Sequence, residues 1–376
     1  MLSAPNHALN SLPNSVQDRF NIQLSPNTLH FLYLSTRRYV LASTWPHFTL
    51  LGQSLGSLIL GLDAFLLLVP DIFIDTMGYA FTLYLSKLLF PNVPTGAYVH
   101  YPTISTDMLE SLDSTNEEHG VNAGAGKGLK GSLKRKYWHL FAACYSHVGG
   151  SVDVVMTNSS WTQQHMRSLW GPARTSSAKS GGGDDTNDIA VVFPPVAVTE
   201  LERQIEVSAA AEAARRPALL YIAQFRPEKN HSLILQAFAR LVGSAARRGA
   251  ASVPTLILVG SVRDPSDSTR VYKLRLLAHE LQIKDRVEFV CDAGWATVLD
   301  YLRTSSVGVN GMWNEHFGIG VVEYQASGLV SVVNRSGGPR MDIVVDVEGL
   351  PTGETYSSCV PEHSPLPGWA YAIEYS

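Results

Sequence analysis

Short apolar runs of strand type alternate with segments of helical periodicity along most of this chain, and that alternation admits few folds. In the second half, Leu219 to Ala223, Thr255 to Val259, Val287 to Val290, Val307 to Asn310 and Leu329 to Val333 read as strands. Between them, Ser232 to Ala245 places Ile234, Ala237, Phe238, Leu241 and Val242 on one helical face, while Val271, Leu274, Leu277, Ala278 and Leu281 line another. Ala296 to Arg303 and Phe317 to Ser327 supply the remaining helices. The first half repeats the pattern with Ile72 to Ile74, Thr95 to Val99, Val152 to Met156 and Ile189 to Phe193. Repeated βα units cover both faces of a sheet, which makes the strands parallel. The expected class is therefore α/β: two doubly wound, Rossmann-like domains facing across a cleft, with the ligand outside the carboxyl ends of the strands.

Composition sets the boundaries. At about 150 residues per domain, 376 residues correspond to two or three domains. Residues 1–193 are expected as an N-terminal domain and 217–376 as a C-terminal one, with 194–216 as the linker, whose Ala- and Glu-rich part Glu206 to Arg216 also suits a helix. Residues 113–134 and 172–188, rich in Gly, Ser and charge, are expected as polar surface insertions.

Charge narrows the partners. Lys and Arg number 29 against 33 Asp and Glu, so no basic field exists to draw a nucleic acid. The charged fraction of 16% argues against a disordered chain or a coiled coil. Cys144, Cys291 and Cys359 are too few and too widely spaced for a disulfide framework or a thiolate cage, which favours a reducing compartment. Neither His-x3-His nor Asp-x-Asp occurs, so no metal is expected. The stretch Met1 to Asn14 lacks the charge and apolar run of a secretory signal. A helix over Phe48 to Leu68 would be apolar around most of its circumference, which leaves two readings, a core helix or one lying in a membrane surface. Within it, Gly52 and Gly56 are expected to allow close approach of a strand.

Two constellations carry chemistry. The loop Phe225 to Asn230 leaves the first strand of the second half and leads into a helix. There Arg226 and Lys229 would add two cations to the partial positive charge of the helix start. The alternative is a solvated helix start with a Glu228 and Lys229 surface pair. Glu315 lies where a strand ends, and Glu323 about two turns into the next helix; carboxylates so placed can hold the vicinal hydroxyls of a ribose or hexose. Gly318 and Gly320 allow backbone to approach a ligand there.

The spacing Glu-x7-Glu after a strand, with the cationic loop before it, resembles the retaining GT-B glycosyltransferases that use nucleotide sugars. The segments IDTMGYAFTL (Ile74 to Leu83), YVHYPTISTDML (Tyr98 to Leu109), QFRPEKNH (Gln224 to His231), MWNEHFGIGVVE (Met312 to Glu323) and SGGPRMDIVV (Ser336 to Val345) further resemble the α-1,2-mannosyltransferases of the dolichol-linked oligosaccharide pathway. The resemblance runs from about Arg19 to Gly353. It implies transfer of mannose from GDP-mannose to lipid-linked Man3GlcNAc2 and Man4GlcNAc2 at the cytosolic face of the endoplasmic reticulum membrane. GDP-mannose would serve as co-substrate and no cofactor is expected; other mannosyltransferases of the pathway are implied as partners. Carried over by position, Glu323 would hold the ribose of GDP and Glu315 the mannose, with backbone at Phe317 and Gly318 orienting that sugar. Gly337 and Gly338 would belong to the same substrate site. Arg226 and Lys229 would neutralise the leaving diphosphate, and His100 would reach the mannose from the first domain. Broader relatives carry the cleft arginine two residues earlier, where this chain has Gln224.

The resemblance also implies units ahead of Arg19 and helices after Gly353, so these 376 residues are expected to bind GDP weakly and transfer little. Two rival readings stand beside it. One is a non-catalytic sugar-nucleotide or glycolipid binding relative that partners another transferase. The other is a nicotinamide-dependent oxidoreductase, against which the lack of Gly-x-Gly-x-x-Gly after an early strand counts.

Overall fold

The computed structural model describes residues 24–25, 28–104, 128–178, 188–247 and 253–356, with backbone alone at 128–131 and 176–178. The chain divides into two compact units, His30–Phe193 and a second that contains Pro194–Ser376.

In the first unit, strands β1 (Phe73–Asp75), β2 (Thr95–Val99), β3 (Val154–Thr157) and β4 (Ile189–Val191) form a parallel sheet in chain order. Helices α1 (Thr49–Leu67), α2 (Ala80–Leu89), α3 (Gly128–Gly149) and α4 (Ser160–Ala178) accompany it. Ala97, Val99 and Val155 of the strands bury against Leu83, Trp138, Met166 and Trp170 of the helices.

Parts of both expected insertions are helical. The start of α3 reaches back to Gly128 because Ser132 to Trp138 holds no helix breaker and ends on a buried tryptophan. Helix α4 continues past Pro172 to Ala178, where buried Arg174 donates to the carbonyls of Gly149 and Val152 at 3.3 and 2.5 Å. Residues 113–127 and 179–187 of those insertions lie outside the described residues, as does the end of the chain after 356.

Helix α1 inverts the usual division of sizes. Its buried positions are mostly small, Gly52, Ser54, Gly56, Ser57 and Gly61. Leu51, Leu55, Ile59, Leu62 and Leu66, spaced to share one side, are exposed. Gly52 and Gly56 do permit close approach, but of a turn rather than a strand. A Cβ on Gly56 would lie 2.0 Å from the Tyr39 carbonyl oxygen, and one on Gly52 2.4 Å from the Trp45 ring. Among the described residues α1 is the helix long and apolar enough to cross a membrane.

The second unit holds strands β5 (Arg216–Ile222), β6 (Thr255–Gly260), β7 (Val287–Cys291), β8 (Ser305–Asn310), β9 (Val330–Asn334) and β10 (Gly353–Tyr356). Its helices are α5 (Val198–Gln204), α6 (Ala209–Ala213), α7 (His231–Arg247), α8 (Pro265–Glu280), α9 (Trp295–Thr304) and α10 (Ile319–Ala326). The sheet is parallel with order β10-β9-β8-β5-β6-β7, the doubly wound arrangement in which the first and fourth strands are central neighbours. Alternation along β5 feeds both layers: Leu219 and Tyr221 join Phe238, Leu241 and Leu258 on one face, while Ala218 and Leu220 join Ile257, Leu299 and Leu302 on the other.

The stretch 194–216 is not a free linker. Its helix α5 buries Leu201, and the following Ile205 is buried too, both within the layer of Leu220, Leu302 and Tyr324. Their apolar spacing is masked by the Glu and Arg residues between them.

Candidate functional site

Strand order in the second sheet changes direction between β5 and β8, and the loops leaving their carboxyl ends diverge there. Those loops carry the cationic and carboxylate groups singled out in the sequence.

After β5 the chain makes a 3₁₀ turn over Pro227–Lys229 and passes through Asn230 with φ 51° into α7, a left-handed step that asparagine tolerates. This turn aims Lys229 across the sheet. Its Nζ lies 2.6 Å from Glu315 Oε2 in the loop after β8, a residue 86 positions later. Lys229 also reaches Met312 Sδ at 3.1 Å, and Asn310 Nδ2 donates to the same Glu315 oxygen at 3.4 Å. Both partners are largely shielded, with side chains 21% and 13% exposed, so their attraction is less screened than a surface pair's. Glu228 instead lies 3.5 Å from Arg226 Nη1, which answers the surface-pair alternative for Lys229. Arg226 Nε is buried without a partner among the described residues.

Glu323 sits on α10, which begins at Ile319 rather than Phe317, so it lies just over one turn into the helix instead of two. The later start has a local cause. Phe317 is drawn into a cluster with Val321, Val333, Ile343 and Val344, and Gly318 turns at φ 101°. Half-buried beside apolar neighbours, the Glu323 carboxyl is pushed up from 4.5 to about 7 by desolvation. It has no hydrogen-bond partner among the described residues.

Gly337 and Gly338 lie behind the Glu315 loop. Gly337 takes φ 67°, and a Cβ there would stand 2.2 Å from the Glu315 carbonyl oxygen. The Gly338 N–H donates to that oxygen at 2.8 Å, and Ser336 Oγ accepts from the Asn314 N–H at 2.8 Å. These contacts fix the backbone on which Glu315 is mounted.

His100 belongs to the first unit. It follows β2, is exposed, and meets Tyr98 edge to face with centroids 4.9 Å apart. The structure thus joins Lys229 to Glu315, sets Glu323 on the adjoining helix, and turns Arg226 toward Glu228.

Sequence reasoning missed Tyr221, Asn310 and Met312. The Tyr221 hydroxyl donates to the Lys229 carbonyl at 2.6 Å and so holds the 3₁₀ turn in place. Nothing in its strand pattern marks it. Asn310 had a signal, being a polar residue that closes an apolar parallel strand.

Chemically the pair is poised for two ligand groups. An ammonium has three hydrogens, and Glu315 and Met312 take two of those of Lys229, leaving one for an anion. Glu315 Oε1 and, in the ionised form, both oxygens of Glu323 remain acceptors for hydroxyls.

A family described as ALG11 mannosyltransferase N-terminus matches residues 4–170, and one described as Glycosyl transferases group 1 matches residues 202–358. A Neurospora crassa protein named GDP-Man:Man(3)GlcNAc(2)-PP-Dol alpha-1,2-mannosyltransferase is 66% identical over 90% of this chain and 61% of its own length. Mouse and human proteins of the same name are each 43% identical over 89% of this chain and 65% of their own. The chain therefore spans about three fifths to two thirds of the length of these relatives. Among solved structures, an α,α-trehalose 6-phosphate synthase from Burkholderia multivorans superposes with TM-score 0.59 at 15% identity, covering 87% of this chain and 68% of that one. Anabaena Alr3699/HepE in complex with UDP and glucose gives 0.51 at 14% identity, covering 85% and 70%. These likenesses show a GT-B fold.

Proposed function

Because this chain belongs to the family of the GDP-Man:Man(3)GlcNAc(2)-PP-Dol alpha-1,2-mannosyltransferases, we propose that its second unit binds GDP-mannose and that the protein transfers mannose from it in α-1,2 linkage. The acceptors are the lipid-linked Man3GlcNAc2 and Man4GlcNAc2 diphosphates. The observation that carries this reading is the Lys229–Glu315 pair at the point where the strand order reverses.

The bond that breaks joins the anomeric carbon to a phosphate oxygen, and negative charge grows on the departing diphosphate. A fixed ammonium stabilises that charge without reorganising as it develops, so Lys229 acts mainly on the transition state. Arg226 supplies a second cation once it exchanges Glu228 for phosphate. Glu315 accepts the hydroxyls of the mannose and holds its anomeric carbon in line, while Glu323 accepts the ribose hydroxyls of GDP. Two cations meet the charge of the leaving group, so the reading requires no cofactor.

We place the reaction at the cytosolic face of the endoplasmic reticulum membrane, with α1 lying in that surface. The exposed row Leu51, Leu55, Ile59, Leu62 and Leu66, next to a turn bearing Arg37 and Arg38, supports this. A polyprenyl acceptor reaches a water-soluble donor site only at such a surface.

Thermal shift with GDP and with NAD tests the donor reading. GDP at about 100 times its dissociation constant should stabilise the fold by about 2.7 kcal/mol, and NAD should do nothing. Stabilisation by NAD alone overturns the reading.

A further inference from the structure

Strands β5 and β8 pair in register at Leu219↔Val307 and Leu220↔Gly308, and their ladder stops there. In a parallel ladder the following rung would run from the Ile222 N–H to the Val309 carbonyl. That rung is occupied by a side chain. The Ile222 N–H donates to the Tyr324 hydroxyl at 2.7 Å, and the hydroxyl donates to the Val309 carbonyl oxygen, 3.5 Å away. On its other side β5 stays paired to β6 through Ile222↔Val259, and β8 stays paired to β9 through Asn310↔Val333. Between β5 and β8 the register also shifts between Arg216 and Leu219, but at the carboxyl ends it is this central pair that is parted while both outer pairings continue.

Tyr324 reaches this position from α10 and is 1% exposed. Its ring rests on Gly308, where a Cβ would lie 2.2 Å from the ring. The parted rung also adjoins the ligand-binding groups. A Cβ built on Gly320 would lie 3.5 Å from the Ile222 carbonyl oxygen, 3.8 Å from the Tyr324 hydroxyl and 4.0 Å from Glu323 Oε2.

We propose that Tyr324 is a positioning residue of the donor site: its hydroxyl, inserted between the Ile222 N–H and the Val309 carbonyl, holds β5 and β8 one rung apart and so forms the floor on which a nucleoside diphosphate lies. Without the hydroxyl the strands close toward the ordinary spacing of about 4.8 Å and the floor narrows. The proposal rests on the GDP-mannose reading and adds to it a residue that touches neither sugar nor phosphate.

Tyr324→Phe keeps the ring and its packing and removes only the bridge. Calorimetry with GDP, well below the melting temperature, should show affinity reduced about five- to tenfold, the equivalent of one hydrogen bond. Ile257→Val, in the same apolar layer, lowers stability without touching the rung and should leave GDP affinity unchanged. Equal GDP affinity in wild type and folded Tyr324→Phe overturns this proposal alone. Absence of GDP binding by the wild type overturns the donor reading and this proposal with it. Should Tyr324→Phe fail to fold, hydrogen exchange of the wild type decides: GDP must slow exchange in the peptide containing Ile222, and an unchanged rate overturns the proposal.

Discussion

Replacing Glu323 by glutamine should stabilise this protein while weakening its grip on GDP. Burial lifts the carboxyl from 4.5 to about 7, so the folded chain holds a proton that the unfolded chain has released. Stability from that proton is complete below about pH 4.5 and is lost as pH rises through about 7. At 1.36 kcal/mol per pH unit, the displacement corresponds to about 3 kcal/mol at pH 8. Glu323 is only half-buried, and solvent screening reduces this to about 1–2 kcal/mol. Glutamine carries no charge to desolvate. In thermal melts at pH 8, Glu323→Gln should therefore exceed the wild type by about 3–6 °C, with most of the difference gone at pH 5. Calorimetry should show the opposite trend for the ligand. The neutral amide loses charge-assisted bonds to the ribose hydroxyls, and GDP affinity falls about tenfold. In the wild type, affinity should also climb as pH rises through 7, because only the ionised carboxylate accepts from both hydroxyls. A variant less stable than wild type at pH 8, or equally advantaged at pH 5 and pH 8, refutes the desolvation argument.

Lys229→Ala and Arg226→Ala should each slow mannose transfer by about ten- to a hundredfold, since a charged hydrogen bond is worth about 1.5–3 kcal/mol. EDTA should leave initial rates unchanged, and loss of turnover on chelation contradicts the two-cation reading. Gly337→Ala combines φ 67° with a Cβ 2.2 Å from the Glu315 carbonyl, whereas Gly349→Ala carries φ 81° with nothing within 4 Å. Urea denaturation should show the first costing well above the second, for which about 1 kcal/mol is expected. Ile59→Glu places a charge in the middle of the exposed row on α1 and should abolish flotation with anionic liposomes, while wild type that stays wholly at the bottom of the gradient rules out the surface-lying helix.

Much of the second sheet was legible because its strands are short, apolar and separated by helices with a clear stripe; Thr255 to Gly260 and Val287 to Cys291 fall almost where the pattern puts them. Strand β10 escaped because Gly-Glu-Thr-Tyr has no apolar run, and only pairing with β9 and burial of Tyr356 make it a strand. Glu315 and Lys229 were legible as residue types at strand ends. Their direct contact was not, since it depends on strand order, which local sequence does not encode. For the same reason nothing in the sequence marked Tyr324, whose hydroxyl joins two strands.

Strand order also dictates when the Lys229–Glu315 pair can form during synthesis. Strand β5 emerges first, β6 and β7 add to one side of it, and only β8 returns to the other. Lys229 therefore waits for a partner 86 residues away. At ribosomal rates of about 5–20 residues per second, that wait lasts roughly 4–17 s. Throughout it the nascent chain presents an unpaired central edge and a Lys229 ammonium without its carboxylate. Arrival of β8 ends both exposures at once, so the ion pair marks the closing of the sheet, and a chain released before Asn310 keeps the inner edge of β5 unpaired.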